Sequence, residues 1–140
     1  MDTNDYGALP YVVDIEDLTI SNDKFRVTKW TGKNLQMTVM SIPAGGEVGL
    51  EKHDTHDQFI RLEQGSAKVV MGLVKDNLDY SKEATADFAI FIPAGYWHNI
   101  VNNGQEDLKL YSIYAPCEHA KGTIHETYEE AIQAELEHQH

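Results

Sequence analysis

The chain has a single cysteine, Cys117, among its 140 residues. An internal disulfide is therefore excluded, and a reducing compartment such as the cytoplasm is the simplest expectation. Basic residues are also scarce, since 11 lysines and arginines stand against 23 acidic residues and give a formal net charge of −12. This balance argues against nucleic-acid binding, which needs a basic surface, and favours a cationic or neutral small molecule as the ligand.

Long apolar segments and targeting signals are absent as well. No apolar run approaches the roughly 18 residues that a membrane-spanning helix needs, so no membrane association is expected. The first ten residues, MDTNDYGALP, have neither a basic region nor an apolar core and do not resemble a signal peptide. The length suits one domain over residues 1–140, and we expect an N-terminal arm at 1–10, a barrel at 11–115 and a tail at 116–140.

Short β-strand patterns occupy most of the expected barrel. Turn signals separate them about every 8 to 12 residues, which is typical of an antiparallel sandwich or barrel. The strands are expected at 11–15, 25–30, 35–42, 67–74, 88–93 and 108–115, and the polar segment 75–86 as a loop. In the tail, Thr127 and Glu130 form a capping box, which predicts a helix from residue 128 to about 137. This helix is too short to be stable alone, so we expect it to dock on the barrel or on a second subunit.

The segment 45–65, GGEVGLEKHDTHDQFIRLEQG, concentrates candidate metal ligands. Glu51 and His53 are two residues apart and share one face of a strand. If the apolar run that begins at Gln58 pairs with this strand, its amide oxygen returns beside them. His98 follows the turn at 93–95 and adds a second imidazole at the start of another strand. We therefore predict one metal ion bound by Glu51, His53, Gln58 and His98.

These two segments resemble the two motifs of the cupin superfamily. The first family motif is a glycine, two histidines, a glutamate and a glycine at fixed spacing, and the second is a glycine, a proline, a glycine, a histidine and an asparagine. The matching positions are Gly45, Glu51, His53, Gln58 and Gly65, then Asp87 in place of the glycine, Pro93, Gly95, His98 and Asn102. The resemblance, to small single-domain cupins of the mannose-6-phosphate isomerase-like or type 2 kind, implies an all-β double-stranded β-helix, the cupin jelly-roll barrel, with the short C-terminal helix outside it. Glu51 and Gln58 depart from the motif, but both still offer an oxygen ligand.

The predicted ligand set fits several divalent metals. Two imidazoles with one carboxylate resemble the facial arrangement of non-haem Fe(II), and Mn, Zn and Ni are equally compatible. Such a metal can polarise a carbonyl, stabilise an enediolate, lower the pKa of bound water or bind oxygen. Glu51 is either a ligand or a catalytic general base, and the sequence does not separate the two roles.

Two classes of function follow. The resemblance implies a metal-dependent enzyme that acts on a small oxygen-rich molecule, with sugar-type isomerase or dioxygenase-like chemistry. The alternative is a non-catalytic cupin that binds or senses a small ligand. We favour the enzyme, because the chain carries no DNA-binding helix-turn-helix that a one-component sensor would need.

The remaining candidates each have a structural and a functional interpretation. His56 is a surface histidine or touches substrate at the barrel mouth, and Tyr96 packs or lines the pocket. His119 and His125 are polar tail residues or bind substrate, while His138 and His140 are frayed ends or a weak metal site. Apolar residues of the arm and uncovered sheet edges predict a homodimer.

Overall fold

The structure is a computed structural model and describes residues 2–138. Within that range, two helices and ten strands are present. They are α1 (Ile15–Ser21), β1 (Arg26–Thr31), β2 (Gln36–Ile42), β3 (Glu51–Lys52), β4 (Asp57–Gln64), β5 (Ser66–Gly72), β6 (Tyr80–Thr85), β7 (Ala89–Ile92), β8 (Trp97–Asn102), β9 (Leu108–Ala115), β10 (Ile124–His125) and α2 (Tyr128–His138). The prediction for the side chain of His138 and for His140 lies outside the described residues.

The strands form two antiparallel sheets that pack against each other. The larger sheet has the order β10–β1–β2–β9–β4–β7, and the smaller sheet has the order β3–β8–β5–β6. Alternate residues of each strand point inward, so that Met40, Ile60 and Leu110 of the larger sheet meet Val69 and Ile100 of the smaller one in a buried core. The predicted all-β double-stranded β-helix with a short C-terminal helix is confirmed.

The inner face of the larger sheet changes from apolar to polar along its length. Residues that are directly paired in an antiparallel ladder share a face. Met40 pairs with Leu110 in the apolar part, whereas Gln36 pairs with Tyr114, and Tyr114 pairs with Gln58 at the other end. This polar end of the inner face is where the candidate site lies.

Two expectations for the strands are wrong. The segment 11–15 is not a strand, because Asp14 accepts a hydrogen bond from the N–H of Asp17 (3.1 Å) and caps helix α1 instead. The segment 75–86 is not only a loop, because β6 forms within it at the edge of the smaller sheet. In β6 only Ala84 is buried, so backbone pairing with β5, rather than an apolar pattern, defines this polar strand.

The pairing expected between the strands of Glu51 and Gln58 is also wrong. β3 pairs with β8 in the smaller sheet, with Glu51 directly opposite His98. β4 pairs with β7 and β9 in the larger sheet. The polar residues between β3 and β4 thus carry the chain from one sheet to the other, and Gln58 approaches the interior from the opposite wall.

The C-terminal helix begins and docks as predicted. Thr127 Oγ1 accepts a hydrogen bond from the N–H of Glu130 (3.1 Å), and the Glu130 carboxylate accepts one from the N–H of Glu126 (3.3 Å). Ala131 belongs to the buried core, and the ring of Tyr128 lies 5.7 Å from that of Phe25. Neither helix of the described region has the length and apolarity to cross a membrane.

The N-terminal arm lies along strand β1 of the larger sheet of the same chain. The Asp5 carboxylate accepts hydrogen bonds from the N–H and hydroxyl of Thr31 (3.0 and 2.6 Å), and the N–H of Tyr6 donates to the carbonyl of Lys29 (2.9 Å). Val12, two residues after the arm, remains fully exposed. The arm therefore has a local partner that the sequence did not suggest.

Candidate metal centre

Glu51, His53 and His98 converge between the two sheets. Glu51 Oε1 lies 3.5 Å from His53 Nε2 and 3.6 Å from His98 Nε2. Two ligands that each stand about 2.1 Å from one ion are at most about 4.2 Å apart, so both separations suit ligation of a single ion. The register of β3 against β8 produces this arrangement, because it sets Glu51 opposite His98.

The hydrogen bond of His98 to the backbone fixes which nitrogen carries its proton. His98 is 1% exposed, and its Nδ1 lies 3.1 Å from the carbonyl oxygen of Tyr96. A carbonyl oxygen only accepts, so Nδ1 donates and the lone pair of the neutral ring is at Nε2. Tyr96, whose side chain packs against the core, thus orients His98 through its backbone.

Glu118, in the tail, contacts Nδ1 of His53, the ring nitrogen that does not face Glu51. Glu118 Oε1 lies 3.4 Å from His53 Nδ1, and its Oε2 lies 3.4 Å from His56 Nδ1. A carboxylate at Nδ1 keeps a proton on that nitrogen, so Nε2 is the nitrogen of His53 that faces Glu51 and is available to a metal. His56 is half-buried, and its Nε2 donates to the carbonyl of Cys117 (2.9 Å). Glu118 and His56 are therefore paired at the edge of the cluster.

The charges of the cluster favour a cation at its centre. Burial raises the pKa of Glu51, but the two neighbouring imidazoles outweigh it and hold that pKa well below its usual range. Burial lowers the pKa of His53, yet the carboxylates of Glu118 and Glu51 raise it to about 9. The two carboxylates thus stabilise positive charge at this position.

Gln58 faces the interior from the larger sheet. It is buried, its Nε2 donates to the hydroxyl of Ser112 (3.2 Å), and its Oε1 has no hydrogen-bond partner. The free atom is the oxygen, the part of an amide that ligates a metal.

The tail closes this end of the barrel because Gln36 binds its backbone. Gln36 Oε1 accepts from the N–H groups of Glu118 and His119 (3.0 and 2.9 Å), and its Nε2 donates to the carbonyl of His119 (2.7 Å). The ring of His119 is then 5.3 Å from that of Tyr114. Burial, followed by the positive charge of Arg26, lowers the pKa of His119 to about 3, so this imidazole is neutral.

Arg26 was not predicted as a site residue. Its guanidinium Nη1 lies 3.3 Å from His125 Nδ1 on the neighbouring strand β10. Because Arg26 pairs with Met40, it stands on the inner face of the sheet. A charged residue at an inward position of a strand is the signal that could have identified it, whereas Glu118 and Gln36 carry no such signal.

The donor chemistry of this site fits a divalent metal. Buried polar side-chain atoms normally have a partner. Those of the described residues that lack one are Glu51 Oε1, His53 Nε2, His98 Nε2, Gln58 Oε1, His119 Nε2, Arg26 Nε, Thr38 Oγ1 and Arg61 Nε. Arg61 Nε is in an ion pair with Glu63 (2.9 Å), and the other seven belong to inward-facing residues. The first four are nitrogen and oxygen acceptors of the kind that first-row divalent metals bind.

The departure of Asp87 from the second motif has a backbone explanation. Asp87 has a φ of 77°, in the left-handed region where glycine is usual and Asp is among the better-tolerated residues. Its carboxylate also pairs with Arg61 (2.8 Å). The replacement therefore preserves the turn that the motif glycine would form.

Two facing antiparallel sheets with a histidine and carboxylate cluster between them define a double-stranded β-helix with a candidate metal centre. The model of the cupin domain matches residues 38–114, and the chain belongs to this family.

The chain is also similar to individual proteins over most of its length. The uncharacterized protein YrkC of Bacillus subtilis is 50% identical over 131 residues, which cover 94% of this chain and 70% of YrkC. The uncharacterized protein L612 of Acanthamoeba polyphaga mimivirus is 37% identical over 115 residues, covering 81% of this chain and 70% of L612. The crystal structure of BH2720 from Bacillus halodurans is 52% identical with a TM-score of 0.92, covering 93% of this chain and 98% of that one.

Proposed function

We propose that this cupin is a metal-dependent enzyme that acts on a small oxygen-rich molecule. The observation that carries the proposal is the convergence of three buried acceptor atoms without partners, Glu51 Oε1, His53 Nε2 and His98 Nε2. These three atoms lie close together around a buried carboxylate, which needs positive charge beside it. A proton on His53 supplies that charge in the metal-free protein, and a divalent cation would replace the proton when it binds. Gln58 Oε1 is the proposed fourth ligand, from the opposite sheet.

The metal is proposed to be one divalent ion of Fe, Mn, Zn or Ni. When bound, it supplies Lewis-acid polarisation of a substrate oxygen. The chain's own residues supply the rest. His98 is oriented by the Tyr96 carbonyl and His53 by Glu118, so both imidazoles present Nε2 to the metal.

Groups that move protons stand beside the ligands, and they favour an enzyme over a binding protein. The Glu118 carboxylate and His56 Nδ1 are 3.4 Å apart and half-buried at the edge of the cluster. A carboxylate and an imidazole in contact can together act as a general acid and base. Isomerase-like chemistry, which moves a proton next to a carbonyl, uses this pair directly. We therefore place it ahead of dioxygenase-like chemistry, with Glu51 as a ligand rather than the base.

The experiment has two parts. Elemental analysis of protein purified without added metal gives the occupancy. The loaded protein is then incubated in D₂O with aldoses, ketoses and their phosphates, and deuterium uptake next to the carbonyl is followed by NMR. We expect uptake that is lost in His53→Ala. Full metal content without uptake or turnover on any of these substrates would instead support the binding or sensing alternative, and no metal in any preparation would reject the proposal.

We also propose a cytoplasmic homodimer. Val12 is fully exposed just after the arm, and Phe91 is 71% exposed on β7, an edge strand of the larger sheet. An apolar edge strand is a surface that a second subunit can cover. Light scattering at about 0.15 M salt should give twice the chain mass of 15.8 kDa. A mass of one chain at every concentration would contradict the dimer.

A further inference from the structure

Arg26 is a buried cation without an anionic partner among the described residues. It is 5% exposed, no carboxylate lies within salt-bridge distance of it, and its Nε has no hydrogen-bond acceptor. Its one side-chain contact of hydrogen-bond length within residues 2–138 is His125 Nδ1. A buried charge in this state is unfavourable unless an anion completes its surroundings.

The other buried cations of the same sheet are satisfied, which makes Arg26 the exception. Lys29 Nζ donates to the carbonyl of Asp2 (2.7 Å), and Lys109 Nζ donates to the carbonyl of Asn22. Each of these lysines has a protein acceptor where Arg26 Nε has none. The fold therefore provides hydrogen-bond acceptors for the two buried lysines, whereas the Nε of Arg26 remains available to bind an anion.

Contacts between neighbouring side chains connect Arg26 to the metal cluster. From its partner His125, the rings continue to His119 (6.5 Å), to Tyr114 (5.3 Å) and to His53 (5.8 Å). Arg26 and Thr38 both stand on the inner face of the larger sheet, because Arg26 pairs with Met40 and Thr38 with Ser112. The guanidinium is thus part of the same polar interior as the ligands.

We propose that Arg26, Thr38 and His119 form an anion subsite that binds a carboxylate or a similar oxyanion group of the substrate beside the metal. The inference rests on the proposed function and names its substrate class. The unpartnered buried atoms divide into two sets. One set consists of the four acceptors proposed as metal ligands. The other set, Arg26 Nε, Thr38 Oγ1 and His119 Nε2, can donate hydrogen bonds to an oxyanion.

This substrate class is the opposite of what the net charge suggests. A charge of −12 favours a cationic or neutral ligand, but long-range charge is screened beyond about 8 Å at 0.15 M salt. Inside the barrel the Arg26 guanidinium has no carboxylate within salt-bridge distance among the described residues, so it is the local positive charge that an anionic group of the substrate can meet. The overall charge acts mainly on the association rate.

The experiment titrates small anions into the full-length protein by calorimetry. Acetate and oxalate are the probes, and acetamide is the uncharged isostere of acetate. Three proteins are compared at equal measured zinc content: the wild type, Arg26→Gln, and Lys33→Gln, which removes the same charge from an exposed turn. We expect Arg26→Gln to weaken acetate binding about ten- to hundredfold, and Lys33→Gln to leave it unchanged. Equal affinity in Arg26→Gln and the wild type would overturn the subsite.

Zinc content, measured first, separates this inference from the proposed function. If the wild type holds no metal, the proposed function is rejected. The same titrations on the metal-free protein then test the anion subsite by itself. Acetate binding that depends on Arg26 would then support it, and no such binding would overturn it. If Arg26→Gln does not fold, the test uses titrations of the metal-free wild type with acetate and acetamide. Tighter binding of acetate than of acetamide would support the subsite. Equal binding of both, or no binding of either, would reject it.

Discussion

The two ends of the barrel differ in how completely their buried polar groups are hydrogen-bonded. At the end where β9 begins, the Asn102 amide is fully used. Its Nδ2 donates to the carbonyls of Ile42 and Glu106 (both 2.9 Å), and its Oδ1 accepts from the N–H of Gly104 (2.9 Å). At the end where β9 finishes, Gln58 keeps its amide oxygen free, and His98 keeps Nε2 free.

Both amides occupy positions of the family motifs, so the motif alone does not distinguish their roles. The hydrogen bonds of the two side chains do distinguish these roles. Asn102 joins three segments of backbone and completes a turn, which is a structural role. The Gln58 side chain makes one hydrogen bond, and its amide oxygen has no partner. An unpartnered buried acceptor of this kind is available to bind a ligand.

The largest expected effect on this comparison is the loss of a ligand. His98→Ala should lower metal affinity by more than about a hundredfold, because even loss of a residue that only orients a ligand costs ten- to hundredfold. Competition titration with a chromophoric chelator measures it, and circular dichroism confirms the fold. Unchanged affinity in a folded His98→Ala protein would remove His98 from the ligand set.

The matching change at the other end should affect stability instead. Asn102→Ala leaves two carbonyls and one N–H without partners, and the free energy of unfolding should fall by about 2–3 kcal/mol. Urea denaturation measures this decrease, and metal content per folded molecule should equal that of the wild type. A folded Asn102→Ala protein that had lost its metal would show that the two ends are not independent.

A smaller effect is expected from the carboxylate behind His53. Glu118→Gln keeps the size of the side chain but removes the charge at His53 Nδ1, and metal affinity should fall about tenfold. Glu63→Gln is a matched control, since Glu63 pairs with Arg61 instead (2.9 Å). Equal affinity in both variants would mean that Glu118 does not act through His53.

The smallest effect is a pH dependence of the metal-free protein. The pKa of His53 is raised from 6.5 to about 9, so its bound proton stabilises the fold fully below pH 6.5, and this stabilisation is lost as the pH rises through 9. Thermal unfolding of chelator-treated protein should therefore show a decline over this window. The decline should be smaller in His53→Asn, and an identical decline in both proteins would assign it to other groups.

The local part of the site could be predicted from the sequence, and the long-range part could not. Glu51 and His53 were expected to lie together because they share one short segment, and His98 was expected beside them because its own segment resembles the second motif. Glu118 lies 65 positions after His53 in the sequence, and Arg26 lies 99 positions before His125. Their placement depends on the sheet register and on the path of the tail, which a local pattern does not encode. For the same reason β6, whose pairing partner defines it, was predicted as a loop.

The attachment of the tail by Gln36 has an evolutionary consequence. The strands of the two motifs supply the proposed metal ligands, while the tail brings Glu118 and His119 to the same interior through three hydrogen bonds with one side chain. The tail therefore contributes one residue to each part of the site, His119 to the proposed anion subsite and Glu118 to the support of His53. Mutations at His119 can alter which molecules are accepted while the proposed ligands stay as they are, whereas mutations at Glu118 also change the metal centre. A single peripheral segment of this kind can adjust substrate choice and metal affinity together.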